Sequence, residues 1–353
     1  MKKFLIIISK VMMCIMLVLI VASCTKEGPA GKDGADGAPG ADGEDGINGQ
    51  DGTATCIVCH DNSQVAFGKT LQWESSTHAT GGNFERNSED CAPCHTSQGF
   101  LERMASGEQI TSAAIPNANP PNCYTCHNVH STYEASDWSI TYDAPVELWH
   151  PVEAKISVDM GIGNLCGNCH QARIPEPMPV PGGDNVTIGS PYWGAHHSPV
   201  SNMIGQAGGY EVGEGYSSSF HASNVSDACI TCHMSTAYGV QAGGHNMGMT
   251  YDYHGHGVIN TAGCVGCHTD GDALATKIEN TQTEIDGLLT QLELILIDQG
   301  VMDDSYHVVP GEMSADQAGG VFNFNFVRED KSHGIHNFMY AKTLLSNSIS
   351  SLE

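Results

Sequence analysis

The sequence predicts a mainly α and irregular fold with little β structure, on three observations. The pattern Cys-x-x-Cys-His occurs six times, and each copy is a place for a short helical turn to begin. Between the copies the chain is crowded with turn formers: Gly81-Gly82, Asn119-Pro120-Pro121, the stretch from Pro175 to Gly183, Gly208-Gly209 and Gly243-Gly244. After the last copy the pattern changes, and apolar residues recur at helical spacing.

The copies are Cys56/Cys59/His60, Cys91/Cys94/His95, Cys123/Cys126/His127, Cys166/Cys169/His170, Cys229/Cys232/His233 and Cys264/Cys267/His268. Two thiols three residues apart reach the two vinyl groups on one porphyrin edge and become thioethers. The next side chain, an imidazole, then lies under the ring and binds iron from the proximal side. This is the attachment signature of c-type haem. Zinc ribbons and thioredoxin-like pairs also use Cys-x-x-Cys, but neither needs His directly after the second Cys. With 18 His in 353 residues, six such coincidences would arise by chance with a probability on the order of 10⁻⁸. Of 14 Cys, the two outside the motifs are Cys14 and Cys24, so no thiol downstream of Cys24 remains for a disulfide. Six covalent haem c groups are the predicted cofactors.

Residues 53–270 form the predicted haem-binding domain, and 271–353 a C-terminal helical part of the same domain. The gaps between first cysteines are 35, 32, 43, 63 and 35 residues, which excludes a solenoid of fixed period. Roughly fifty residues per haem is lean, so the haems must supply much of the core. Leu274, Ile278, Thr281, Ile285, Leu288, Leu292 and Ile295 step by four and three, predicting a helix with one apolar stripe. Asp272 is the expected cap at its start and Gly300 at its end. A second helix is expected from His336 to Leu352, with Met339, Leu344, Leu345 and Ile349 on it. The stripe is expected to pack on its own domain rather than on another copy.

Twelve His lie outside the motifs: 78, 130, 150, 196, 197, 221, 245, 254, 256, 307, 333 and 336. Six would make every iron six-coordinate and low-spin, a state suited to electron transfer. Methionine as sixth ligand, from Met234, Met247 or Met249, is unnecessary with such a surplus. The segments Ser75-Ser76-Thr77-His78 and Ser218-Ser219-Phe220-His221 precede the second and fifth motifs and look like one duplicated unit, a distal His delivered just upstream of an attachment site. His130 follows His127 by three residues, too close to pass round the same porphyrin, so it can serve only a neighbouring haem. His245, in Gly-Gly-His-Asn, and His336, in His-Gly-Ile-His-Asn, sit where a side chain can be aimed. His196 and His197 are adjacent, so at most one faces a given iron. The predicted distal set is His78, His130, His196, His221, His245 and His336, with His150, His197, His254, His256, His307 and His333 in reserve.

Leu165-Cys166-Gly167-Asn168-Cys169-His170, Trp193 to Pro199, Cys229 to His245 and Ser332 to Leu345 resemble the multihaem cytochrome c superfamily, which includes the pentahaem nitrite reductases and related tetra- to octahaem cytochromes. The resemblance covers nearly everything after residue 52. It implies a multihaem cytochrome c fold wrapped around six haems with two C-terminal helices. It also implies that the Gly-His and His-Asn segments supply distal ligands, namely His245 and His336. The nitrite reductases carry Lys in place of the last His of their catalytic motif. No Cys-x-x-Cys-Lys exists here, and their distal Arg-Tyr-His set cannot be placed on this sequence.

Met1-Lys2-Lys3 and the apolar run to Ala22 have the character of a secretory signal. The run ends Val21-Ala22-Ser23-Cys24, which resembles a lipobox, so 1–23 reads as a lipoprotein signal peptide and Cys24 as the lipidated residue. The expected location is the outer membrane of a bacterium, on its periplasmic face or at the cell surface. From Gly28 to Gly52 glycine recurs every third residue, the collagen period, but the other positions hold only Pro29 and Pro39 among imino acids and many carboxylates. Residues 24–52 are therefore read as a lipid-anchored tether of some 75 Å, from ~25 residues at ~3 Å each, with a homotrimeric stalk as the alternative. A formal net charge of −26, from 14 Lys and Arg against 40 Asp and Glu, excludes nucleic acid as a partner and suits cationic partners or metal ions. The expected function is electron transfer from a membrane donor to a redox partner cytochrome or an extracellular metal or mineral acceptor, with no catalytic residues assigned. The rival expectations are reduction of a small nitrogen or sulfur oxyanion at one open-site haem, and a conductive or trimeric surface assembly. The tether reading predicts that sedimentation gives the same number of chains per particle for the mature chain and for one beginning at Thr53; trimers found only with the repeat would replace it by the stalk.

Overall fold

The apolar stripe that starts at Leu274 folds as a helix over Gly271–Asp298 in the computed structural model, which describes residues 64–149 and 156–353. Its N-terminal cap is Asp270 rather than Asp272. The Asp270 carboxylate accepts from the Ala273 N–H at 3.0 Å, whereas Asp272 lies in the first turn, where its charge favours the helix dipole. The chain leaves the helix through Gly300 at φ +70°, a left-handed conformation that glycine adopts freely. Leu274, Ile285 and Leu292 of the stripe are buried, joined by Leu289 and Leu296. This long helix packs against two others, Ala315–Glu329 and Phe338–Leu352, so its stripe is covered within the chain.

Two C-terminal helices are predicted and three form. The unforeseen one, Ala315–Glu329, contains Phe322-Asn323-Phe324-Asn325-Phe326, an alternation that reads as a strand. It is buried on every side, so no 3.6-residue stripe marks it in the sequence. A reciprocal cap starts it: the Ser314 hydroxyl accepts from the Gln317 N–H at 3.1 Å, and the Gln317 side chain accepts from the Ser314 N–H at 3.0 Å. Asn323, at its centre, is satisfied. The Asn323 amide donates to the Tyr210 carbonyl at 2.8 Å and to Ser348 at 2.9 Å, and accepts from the Tyr210 N–H at 2.8 Å. Gly319 lets the Tyr210 ring lie directly on the helix backbone.

Phe322, Phe324, Phe326, Tyr340, Leu344 and Leu345 are at the centre of this helical core. A smaller cluster of Val146, Leu148, Val158, Met160 and Ile204 lies near the fourth motif. From residue 65 to 145 the buried apolar side chains are Ala92, Pro93 and Phe100, while Val65, Phe67, Ile110, Tyr124 and Tyr133 are exposed. That stretch has almost no protein core of its own.

Strand content is small, as the sequence predicts: three two-stranded antiparallel pieces pair 146–147 with 157–158, 186–188 with 311–313, and 250–253 with 256–259. Short helices form at Ala92–His95, Cys123–Cys126, Asn164–Gly167 and Ala228–His233. The sixth motif departs from this. It is a hydrogen-bonded turn, in which the His268 N–H donates to the Cys264 carbonyl at 2.8 Å. Among the described residues no helix is long and apolar enough to cross a membrane. The signal, Cys24, the glycine repeat, the first motif (Cys56, Cys59, His60) and His150 lie outside the described residues.

A Cβ at Gly319 would come within 2.1–2.4 Å of three Tyr210 ring carbons. Gly319→Ala is therefore expected to destabilise the protein by about 1–3 kcal/mol through overpacking, read as a lower urea midpoint.

Candidate haem-binding site

Each of the five described motif histidines stands opposite one histidine from elsewhere in the chain. The ring-centre separations are 6.0 Å for His170 and His78, 6.1 Å for His95 and His196, and 6.2 Å for His127 and His245. They are 6.0 Å for His268 and His221 and 6.2 Å for His233 and His336. Two metal–imidazole bonds of about 2 Å, with about 1.1 Å from each nitrogen to its ring centre, add to ~6.2 Å. The spacing therefore fits one metal ion between each two rings. Among the described residues no three His, Cys, Asp or Glu side chains converge as a metal cage would require; the imidazoles meet in twos. Two facing imidazoles are the axial set that a macrocycle-held metal takes from a protein.

Several of these rings are aimed by what their outer nitrogen touches. His127 Nδ1 lies 2.8 Å from the Trp138 carbonyl and His233 Nδ1 2.8 Å from that of Met247. His170 Nδ1 lies 2.6 Å from the Ser198 hydroxyl. The two carbonyls require a protonated Nδ1 and so fix the tautomer, and all three partners leave Nε2 free to face across the gap. Burial pushes His170 and His245 down to about 4 and lowers His78, His95, His196 and His233. All six are neutral near pH 7, the form with a lone pair to offer. For His336 burial opposes the charge, but the Asp330 charge and hydrogen bond outweigh it and raise the value.

The opposing histidines arrive on short, tightly fastened segments. Ser76 caps the turn Thr77–Thr80 that carries His78. His245 follows two glycines of positive φ, and its N–H donates to the Gln72 side chain at 3.0 Å. Asn246 donates to the Ser75 carbonyl at 3.1 Å, which ties this loop to the helix Gln64–Glu74. Asn337, fully buried, accepts from the Ser219 N–H at 2.8 Å and donates to the Met203 carbonyl at 3.0 Å. It thereby fixes two histidines at once, His336 beside it and His221 next to Ser219; His221 Nδ1 lies 3.1 Å from the Ile335 carbonyl.

Neither histidine of the duplicated unit faces the motif it precedes. His78 meets the fourth motif and His221 the sixth. Of the adjacent pair, His196 takes the facing place, while His197 is 79% exposed and bonded to Glu329 at 2.7 Å. His130 stacks on Tyr133 with the Tyr124 hydroxyl 3.4 Å away, opposite none of the five described motif histidines. His307 lies near Asp303 at 3.8 Å and His333 against Asp286 at 2.5 Å, whereas His254 and His256 lie at the hairpin 250–259.

The motifs also touch one another. Cys169 of the fourth lies beside Cys94 of the second, and Cys166 of the fourth beside Cys229 of the fifth. Arg103 braces the first of these junctions. Its guanidinium donates to the Asn168 carbonyl at 2.7 Å, lies 3.8 Å from Cys94 Sγ and packs over the Trp149 ring. The sequence gives no signal for this role.

No protein-family model matches the chain, and no curated protein does. The crystal structure of the outer cell wall cytochrome OcwA is similar, at 21% identity and a TM-score of 0.52, over 81% of this chain and 50% of that one. The chain thus spans about half the length of that protein, and what the two share is the mainly helical, irregular fold of a cytochrome.

Proposed function

We propose that the chain is a six-haem c-type cytochrome that relays electrons from a membrane donor to a periplasmic or extracellular acceptor. The observation that carries this reading is the set of five imidazole pairs at a common spacing of 6.0–6.2 Å, each with one member from a Cys-x-x-Cys-His motif. Each bound haem supplies an iron that gains and loses one electron. The chain's part would be to hold two imidazoles across each iron, so that no coordination site opens to substrate and the geometry barely changes with oxidation state.

Cys91, Cys94, Cys123, Cys126, Cys166, Cys169, Cys229, Cys232, Cys264 and Cys267 hold five haems by thioethers. His95, His127, His170, His233 and His268 are the proximal ligands, and His196, His245, His78, His336 and His221 respectively the distal ones. Cys56, Cys59 and His60 form the sixth set, with His130 as candidate distal ligand. The Cys94–Cys169 and Cys166–Cys229 contacts bring three attachment edges together, which favours rapid electron exchange through the fourth motif's haem. Cys24 and the 24–52 tether hold the domain off an outer membrane surface. The acidic exterior favours cationic redox partners or metal acceptors.

His245→Ala tests the reading at one named iron. The electron paramagnetic resonance spectrum of the oxidised mature protein is expected to be wholly low-spin. The variant is expected to gain one high-spin haem that binds cyanide. A wild-type spectrum that already contains a cyanide-sensitive high-spin haem would favour catalysis at an open site instead.

A further inference from the structure

One facing pair differs from the others in what its outer nitrogens touch. Nδ1 of His127, His233, His221 and His196 lies against backbone carbonyls, and that of His170 against a hydroxyl. His336 meets a carboxylate: its Nδ1 lies 2.8 Å from Asp330 Oδ1. The other oxygen of Asp330 accepts from the Ser332 hydroxyl. The Asp330 side chain is 2% exposed, so water does little to screen its charge.

Building on the assignment of His233 and His336 as one axial pair, we propose that Asp330 sets the reduction potential of the iron between them below those of the other four described pairs. A buried carboxylate draws the Nδ1 proton toward itself and makes Nε2 a stronger electron donor. A stronger donor stabilises ferric over ferrous iron, whereas a carbonyl or hydroxyl partner exerts a weaker pull. The consequence is directional. The fifth and fourth motifs touch through Cys229 and Cys166. One electron then passes from the iron between His233 and His336, which is oxidised, to the iron between His78 and His170, which is reduced. Asp330 is thus a positioning residue acting through His336, and it makes the fifth haem a donor to the fourth.

The test is an optical redox titration of the haem-loaded mature protein and of three variants, with spin state followed in parallel. In Asp330→Asn the lowest midpoint, with one haem's share of the absorbance, is expected to rise by at least a tenfold change in the one-electron equilibrium constant, about 59 mV. The other midpoints should stay in place and all haems low-spin. Asp330→Glu, which keeps the charge, should move the midpoint less. Unchanged midpoints in Asp330→Asn, or equal rises in the Asn and Glu variants, would overturn the proposal while leaving the axial pair intact. His336→Ala should add one high-spin haem; a spectrum that stays wholly low-spin would remove the pair itself and the proposal with it.

Discussion

An iron held in a porphyrin plane has two open axial positions, and filling both from one chain imposes a distance on everything else. Two imidazoles must stop about 6 Å apart, ring centre to ring centre, with a flat macrocycle between them. A few residues of chain cannot reach round that plane. The facing rings therefore come from segments as remote as His127 and His245 or His233 and His336. Cross-linking of this kind, repeated through the described unit, does the work that a sheet or a bundle does elsewhere. It also accounts for the paucity of strands, since a segment pinned at one imidazole has little length left for a ladder.

The two ends of the unit solve the stability problem differently. The three C-terminal helices bury Phe322, Phe324, Phe326 and Leu344 against one another and would be recognisable as a core in any protein. The stretch from 65 to 145 buries little beyond Ala92, Pro93 and Phe100 and leaves Phe67, Tyr124 and Tyr133 exposed. Such a segment cannot offset its own conformational entropy from side chains alone. On the proposed reading, covalent macrocycles, each with a large apolar face, would supply the core there, and attachment and folding would be coupled as metal binding and folding are in small metalloproteins.

How much of this can be read in the sequence depends on the kind of signal. The attachment sites are plain, because a porphyrin edge demands a fixed local spacing and the motif is the spacing. Four histidines outside the motifs are marked by their surroundings: His78, His221, His245 and His336 follow closely on serines or glycines, and each stands opposite a motif histidine. Which motif each one meets is not legible. His78 precedes the second motif and faces the fourth, a matter of three-dimensional path on which local sequence is silent. The helix Ala315–Glu329 is hidden for a different reason, since burial on all sides erases periodicity and leaves an alternation that imitates a strand. Arg103 and Asp330 carry no pattern, and their roles emerge only from what lies beside them. The Asp270 cap shows a finer limit, two residues from the expected position, because either carboxylate satisfies the same local rule.

The central claim concerns where iron sits, and anomalous scattering at the iron edge from crystals of the mature protein answers it directly. The account places an iron peak midway between His78 and His170, His95 and His196, His127 and His245, His221 and His268, and His233 and His336. An iron beside one of these motif histidines with water, methionine or a different histidine on its far side would contradict it.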